Sequence, residues 1–490
     1  MYRKRSPRQP SCFIPGDLSD YVPDDHILKR VDKVLDLSWL RQEVKNLYDE
    51  PTGRPCIDPE QAVRLMLAGF LHGVVHDRKL MREAQVNMAY RWFAGYELDE
   101  VLPDHSSLTR IRQRWGEERF GQIFERSVLQ CSQAGLVGGD LVHVDASLVR
   151  ADVSWGSLVR VHVSKVLEEN EAAPEEEPPA DDNPPKQPAA PPADKPTTGP
   201  PRGQASKPSK PPPGKVKKVS KTDPDASMAT GNRGQRLEPT YKQHTVLDDT
   251  AGVIVDVHVT TGEANEGQQL LGQLERVAQR TGQLPQMVTA DRAYASSANY
   301  AALEALGVEA AIPPQRERLP RRGIPLQRFA YDAHYDVVVC PSGKRLWRKG
   351  RAPNGWWYYA RVADCKACAL KERCLSPSSR YRSVCIKDGY CALLRARRRR
   401  QRGWTEPMVD AYRRHRCQAE GIYGEAKGEH GLRRAVRRGT SNMRIQAYLT
   451  AAVINLKRLA LHAARLLASL LCLNWGPRAS CAGWAVLLAP

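Results

Sequence analysis

Residues 405–438 read TEPMVDAYRRHRCQAEGIYGEAKGEHGLRRAVRR, and this stretch decides how the chain is understood. Its pattern predicts one helix, with Thr405 as N-cap, Glu406 and Pro407 in the first turn, and Gly428 and Gly431 at the exit. Arg416, Glu420 and Lys427 stand at i, i+4 and i+11. At about 3.6 residues per turn those offsets put all three on one face. A lone carboxylate between cations suits a metal site that also grips phosphate. The same residues describe a solvated face, where Glu beside Arg is an ordinary i,i+4 pair. The rest of the chain has to decide.

Two further acids stand where apolar strands end. GDLVHVDA (139–146) predicts a buried strand with Asp145 near its end. An acid at the edge of such a strand is costly unless it is paired or holds a cation, although Asp is also a common turn residue. YKQHTVLD (241–248) and GVIVDVHVTTG (252–262) have the look of a hairpin around Asp249, followed by a helix near 265–280. A short apolar strand then ends at Asp291, a helix covers 296–306, and VEAAIP (308–313) is a last strand. Asp145, Asp291 and Glu420 can thus converge, two from neighbouring strand ends and one from a helix packed on the sheet. Converging carboxylates repel one another and call for divalent cations, and hard oxygen ligands select Mg²⁺ or Mn²⁺. Two such ions about 3.5–4 Å apart can activate a nucleophile and stabilise the leaving oxygen of a phosphodiester.

Further out, the first third reads as helical. Asp58-Pro59 starts a helix through AVRLMLAGFLHGVV, apolar most of the way round and therefore a core helix. Pro103-Asp104 opens a short helix, HSSLTRIRQRWG, carrying Arg110, Arg112 and Arg114. A helix, a turn and an Arg-rich helix resemble a helix-turn-helix DNA reader, a pattern that generic bundles share. The formal charge of +19 over 490 residues favours a polyanionic partner, most simply nucleic acid. No run of 18 uncharged apolar residues is present, so no membrane span is expected. The start, MYRKRSPRQPSCFIPGD, has basic residues but no apolar run behind them, so no signal peptide is expected. With twelve cysteines and no export signal, free thiols or a metal site are expected before disulfides, and the expected location is cytoplasmic.

Two insertions interrupt the pattern. Residues 168–222 are rich in Pro, Ala, Glu and Lys, cannot bury enough apolar surface to offset ordering entropy, and are expected to be disordered. Residues 314–404 are expected to be β-rich and carry Cys340, Cys365, Cys368 and Cys374 at spacing C-x24-C-x2-C-x5-C. That spacing allows a structural four-cysteine Zn²⁺ site, the alternative being free thiols. Trp356, Trp357, Tyr358 and Tyr359 are expected in a strand core rather than in a base-stacking platform. RARRRRQR (395–402), with Arg397, Arg398, Arg399 and Arg400, is expected to contact phosphate, against a merely solvated basic patch. An apolar helix over 445–471 should pack on the sheet, while 473–490 has no periodicity.

In these motifs the chain resembles bacterial insertion-sequence transposases of the DDE type. Asp145 in HVDASLVRA is similar to the family's first acid and Asp291 in VTADRAYAS to the second, and R416-x3-E420-x6-K427 is similar to its Arg/Glu/Lys signature. The tyrosine usual three positions before that arginine is missing, since Arg413 stands there. YKQH (241–244) and the residues around Asn265-Glu266 also look like family landmarks. The resemblance covers about residues 16–165 and 222–460. It also discriminates among the acids of the last helix, because Glu425 is about 140° round from Glu420.

The resemblance implies an α/β fold: a ribonuclease-H-like mixed sheet flanked by helices, with an N-terminal all-α domain and a small β-rich Cys-containing insertion. The expected division is 16–136 DNA-binding helices, 139–165 with 223–313 as the first part of the core, 168–222 disordered, 314–404 the Cys insertion, 405–472 the C-terminal core helices and 473–490 a tail. The implied activity is metal-dependent strand cleavage and strand transfer on double-stranded DNA, at terminal inverted repeats and a target, by a homodimer at the nucleoid. Two Mg²⁺ or Mn²⁺ ions would sit on Asp145, Asp291 and Glu420, with Arg416 and Lys427 on phosphate oxygens. The alternatives are a catalytically dead DNA-binding relative, or a nuclease that cuts without joining.

Overall fold

The computed structural model describes residues 16–48, 56–154, 158–162, 216–229, 237–315 and 323–474. Asp58 accepts hydrogen bonds from the N–H groups of Glu60 and Gln61 and, with Pro59 in the first turn, starts the helix Pro59–Leu71. Leu65, Met66 and Leu67 on that helix are fully buried. Around it pack the helices Ile27–Asp32, Leu40–Val44, Asp77–Val86, Met88–Ala94 and His105–Gln133. The last differs from the short helix expected to stop at Gly116. The chain bends at Gly116, whose φ is +65°, and then resumes for a total of 29 residues. Phe120, Ile123, Phe124 and Val128 beyond the bend are buried, and that burial carries the helix on.

The next layer is a mixed sheet. Its strands are β1 (Leu141–Arg150), β4 (Ser227–Ala229), β5 (Glu238–Asp248), β6 (Ile254–Thr261), β7 (Met287–Ala290) and β8 (Glu309–Ala311), while β2 (Leu158–His162) and β3 (Val216–Ser220) form a separate pair. β1 is antiparallel to β5 and β5 to β6, whereas β7 runs parallel to both β1 and β8. The order β6-β5-β1-β7-β8, with three antiparallel strands leading into two parallel ones, is the ribonuclease-H-like arrangement. The helices Leu270–Thr281 and Ser297–Ala305 supply the connections around β7.

The insertion expected over 168–222 lies outside the described residues from 168 to 215. Its last residues differ from expectation, because Val216–Ser220 pairs antiparallel with Leu158–His162 and so has a strand partner that composition alone does not reveal. Just beyond, Asp223 is buried and accepts from the Tyr241 hydroxyl at 2.6 Å, which pins the return of the chain to β5.

A second sheet follows, with β9 (Ala330–Asp332), β10 (Val337–Val339), β11 (Arg345–Ala352), β12 (Gly355–Ala360) and β13 (Ser383–Lys387) in antiparallel order β13-β12-β11-β10-β9. It has its own core, built on Val338, Leu346, Tyr358, Val384 and Ile386. Strand alternation divides the expected aromatic core: Trp356 and Tyr358 face that core, while Trp357 is exposed.

The helix expected over 405–438 is Glu406–Gly428. Thr405 holds the N-cap position with extended backbone but makes no side-chain cap bond. After Gly428 the chain leaves helical geometry, Gly431 takes a φ of +69°, and Ala435 donates to the Arg150 carbonyl of β1 at 2.7 Å. The opening stretch is therefore a helix followed by a strap back to the sheet. The long helix Thr440–Asn474 then joins two cores. Ile445, Leu449, Val453 and Leu456 pack among the N-terminal helices, and Met443, Ala447, Ala451 and Ile454 against the sheet. Among the described residues, no helix is long and apolar enough to cross a membrane; residues 475–490 of the expected tail lie outside them.

Candidate acidic site

Asp145 sits in β1 where it runs beside β7. Val144 pairs in parallel with Ala290, so Asp145 is the next residue of β1 and Asp291 the first residue past the end of β7. Each carboxylate is steadied by a nearby main-chain N–H: Asp145 accepts from Ala146 at 2.8 Å, and Asp291 accepts from Ala293 at 2.7 Å. Burial pushes the Asp145 carboxyl up to about 7; the Ala146 N–H pulls it back, and the charges of Asp291, Glu266 and Glu420 raise it further. A carboxyl raised by burial and by neighbouring acids is a place where a cation would replace a proton.

The helix Glu406–Gly428 reaches this point through Tyr423. Its buried hydroxyl lies 3.2 Å from the Asp145 carbonyl, 3.0 Å from the Gln243 carbonyl and 3.0 Å from the Thr245 hydroxyl. One turn earlier is Glu420, exposed, with Arg416 3.9 Å away and equally exposed. One turn later is Lys427, whose ammonium donates to the Ser147 hydroxyl at 2.6 Å. Burial and the charge of Arg433 lower the Lys427 pKa, while the nearby Asp145 carboxylate raises it. The helix is fixed at its other end by a chain of contacts: Arg414 donates to Asp249 at 2.8 Å, and Asp249 lies 2.9 Å from the buried His143 ring. Asp249, His143 and Tyr423 carried no role in the sequence reading. Tyr423, three residues after Glu420 on a similar face, could have been found from helical spacing.

The three acids are gathered but not closed round a point. Among the described residues, only Glu425, Glu429 and His430 bring three candidate ligand atoms within 4.8 Å of one another. Cations already fill that group, with Lys457 2.7 Å from Glu425 and 2.8 Å from Glu429, and Arg458 2.6 Å from Glu425. Against its own burial, His430, Lys457 and Arg458 hold Glu425 well below the usual carboxylate range. It is an ion-pair network tying the helix to Thr440–Asn474, whereas the charge of Glu420 is felt at Asp145.

The arginines divide. Arg110 and Arg114 are exposed, and Arg114 lies over the Tyr48 ring at 4.7 Å. Arg112 is buried and donates to Asp77 at 2.8 Å, so its expected contact with DNA is corrected. At about 100° per residue it lies on the opposite side of the helix from Arg110 and Arg114. Arg437 of the strap bonds the same Asp77. Arg397, Arg398, Arg399 and Arg400 lie on the helix Tyr390–Arg402. Arg398 and Arg399 are exposed, and Arg400 covers the Trp404 ring at 4.1 Å.

Cys340, Cys365, Cys368 and Cys374 line one cavity of about 30 Å³ beside the second sheet. The Leu370 N–H donates to the Cys368 sulfur at 3.4 Å, a contact a metal-bound thiolate also accepts. Burial raises the Cys374 thiol pKa, Arg382 lowers it, and the other three cysteines raise it again. Four soft donors around one small cavity are the right set for Zn²⁺, but no three of these sulfurs lie within 4.8 Å of one another, so the thiols share the cavity without closing round a point.

Two family models match the chain, a "Transposase domain (DUF772)" over residues 16–114 and a "Transposase DDE domain" over 339–460. No curated protein matches. Similar solved structures include a Mos1 transposase paired-end complex with left transposon end, at 13% identity over 56% of this chain and 65% of that one, with a TM-score of 0.16. Another is the Mos1 strand transfer complex, at 12% identity over 80% and 85%, also at 0.16. The chain thus spans just under two thirds of the first of these, and at such scores neither overlay transfers residues to this one.

Proposed function

The chain belongs to the DDE transposases, and we propose that it binds the ends of a mobile DNA element, cuts them and joins them to a target. The observation that carries this reading is the parallel register of β1 and β7, which sets Asp145 and Asp291 side by side, with the charge of Glu420 felt at Asp145. Asp145, Asp291 and Glu420 would hold two divalent ions, Mg²⁺ or Mn²⁺. Bound there, the ions would supply Lewis acidity at the phosphorus and lower the pKa of attacking water.

The protein's own part is positioning and charge. Lys427, beside Ser147 and Asp145, and Arg416, beside Glu420, would neutralise phosphate oxygens and hold the scissile bond in line. Water attack on phosphorus breaks the bond to the 3′ oxygen and frees a 3′ hydroxyl. That hydroxyl then attacks a target phosphodiester and displaces its 3′ oxygen, so one bond is exchanged for another. Arg110, Arg114 and Arg397–Arg400 would contact duplex phosphates. Residues 16–136 would be the DNA-binding unit, 139–165 with 223–313 and 405–472 the catalytic core, and 314–404 a zinc-stabilised insertion. Two copies would pair two ends in the bacterial cytoplasm, at the nucleoid.

The test is a strand-transfer assay on DNA carrying the element's inverted ends, comparing the wild type with Glu420→Gln. The expected result is joined product from the wild type, and DNA binding without cleavage from the variant. Cleavage without joining marks a nuclease, and binding alone marks an inactive relative. Full activity of Glu420→Gln would remove Glu420 from the site.

A further inference from the structure

The turn that precedes the helix Leu270–Thr281 brings a fourth acid to the site. Asn265 caps the short turn Glu266–Gln268 by accepting from the Gly267 N–H at 2.9 Å. This turn packs against the one that follows Asp291. The Asn299 amide donates to the carbonyls of both Gly267, at 2.8 Å, and Tyr294, at 2.9 Å. A side chain at Gly267 would meet the Ala293 carbonyl at 2.9 Å, so glycine permits the close approach.

Glu266 is held at 3.0 Å by Lys242, whose ammonium also donates to the Ala264 carbonyl at 2.8 Å. Lys242 belongs to β5 and pairs across the ladder with Leu148 of the strand that bears Asp145. Tyr294 is fully buried, its hydroxyl has no hydrogen-bond partner among the described residues, and it lies in the field of Tyr423, Glu266, Asp145 and Asp291. A buried hydroxyl left unbonded beside three carboxylates points to something that binds there.

We propose that Glu266 supplies a fourth carboxylate to the divalent-cation site, and that Lys242 is the counter-ion it keeps until a cation arrives. This rests on the reading of Asp145, Asp291 and Glu420 as cation ligands. A hard divalent ion takes six or more oxygens, and each added carboxylate raises affinity through charge. The Lys242 ammonium occupies the Glu266 carboxylate and competes with the ion for it. Removing the acid and removing the base therefore have opposite effects on cation binding.

The experiment is a titration of the full chain, without DNA, with Mn²⁺, reading free ion by electron paramagnetic resonance, with circular dichroism to verify folding. Asp145→Asn should abolish site binding. Glu266→Gln should weaken it about tenfold and Lys242→Gln should tighten it. A structural pair would make the two variants weaken binding alike or leave it alone, and either result overturns the proposal. If Glu266→Gln does not fold, Lys242→Gln decides: tighter binding supports the proposal, and unchanged or weaker binding overturns it. Loss of binding in Asp145→Asn with none in Glu266→Gln overturns the fourth ligand alone. Unchanged binding in Asp145→Asn overturns the acidic site and the fourth ligand together.

Discussion

The Tyr423 hydroxyl lies 3.2 Å from the main-chain carbonyl of Asp145. Through this contact a helix more than 270 residues away in sequence is keyed to the strand that carries the first acid. It fixes the height of Glu420 and Lys427 over the sheet end, since both lie within one turn of Tyr423. Tyr423→Phe should leave the ring packed and remove this anchor together with the hydroxyl's contacts to the Gln243 carbonyl and the Thr245 hydroxyl. The expected cost is about 1 kcal/mol of stability, the usual net worth of a buried hydrogen bond. Strand cleavage should fall further than DNA affinity does. Chemical denaturation and a cleavage time course check both; equal losses in binding and cleavage would show that the hydroxyl does not position the helix.

Arg112 makes a different prediction from its neighbours. With Asp77 and Arg437 it forms a buried group that ties the N-terminal helices to the strap after the Glu420 helix. Arg112→Ala leaves the buried Asp77 carboxylate with Arg437 and the Thr109 hydroxyl, and losing one charged hydrogen-bond partner there costs roughly 1.5–3 kcal/mol. The denaturation midpoint should drop while the salt dependence of DNA binding stays as it is. Arg110→Ala with Arg114→Ala should do the reverse, leaving stability nearly unchanged and reducing the salt slope by about two. A reduced slope in Arg112→Ala would restore it as a phosphate contact.

What could be read from the chain alone follows from range. Asp145 and Asp291 stand out because apolar runs break at an acid, and the helix of Glu420 because its charges share a face. Each of these signals is local. The inward turn of Arg112 was also local, since a residue two positions from Arg110 and Arg114 faces away from both, but three arginines in a row of alternate positions look like one stripe. The Glu420 helix ends at Gly428, the first of its two exit glycines, whereas the strap beyond it depends on the bond from Ala435 to Arg150, a long-range event. Lys242 with Glu266, and His143 with Asp249, meet only after β5 has folded against its neighbours, and no spacing encodes that. The Val216–Ser220 strand is likewise created by its distant antiparallel partner, Leu158–His162.

The Asp145 carboxyl gives the site a pH dependence. Its folded value of about 7 stands above the unfolded 3.8, so the ion-free fold binds a proton that the unfolded chain releases. The associated stability is complete below about pH 4, is lost as pH rises through 7, and changes no further above that. Asp145→Asn should flatten this slope and leave the ion-free protein more stable at pH 8 than the wild type. Cation binding must displace the same proton, so Mn²⁺ affinity should fall about tenfold per unit below pH 7. Titrations at pH 6 and pH 8 measure it, and equal affinities would mean that Asp145 is already ionised without the ion.

The four cysteines predict a second, purely structural metal. Purified protein should carry one zinc per chain, measured by elemental analysis, with Cys340, Cys365, Cys368 and Cys374 inaccessible to thiol reagents. Chelation should free those thiols and loosen the second sheet, because its small core of Val338, Leu346, Tyr358, Val384 and Ile386 has few neighbours to rely on. Cys368→Ser should reproduce the effect without touching Asp145. The Mn²⁺ affinity of the acidic site should be the same before and after chelated zinc is washed away, since the two centres sit on different sheets. A protein that holds no stoichiometric zinc and keeps its thermal transition in the chelator has free thiols at these positions, packed around an apolar cavity.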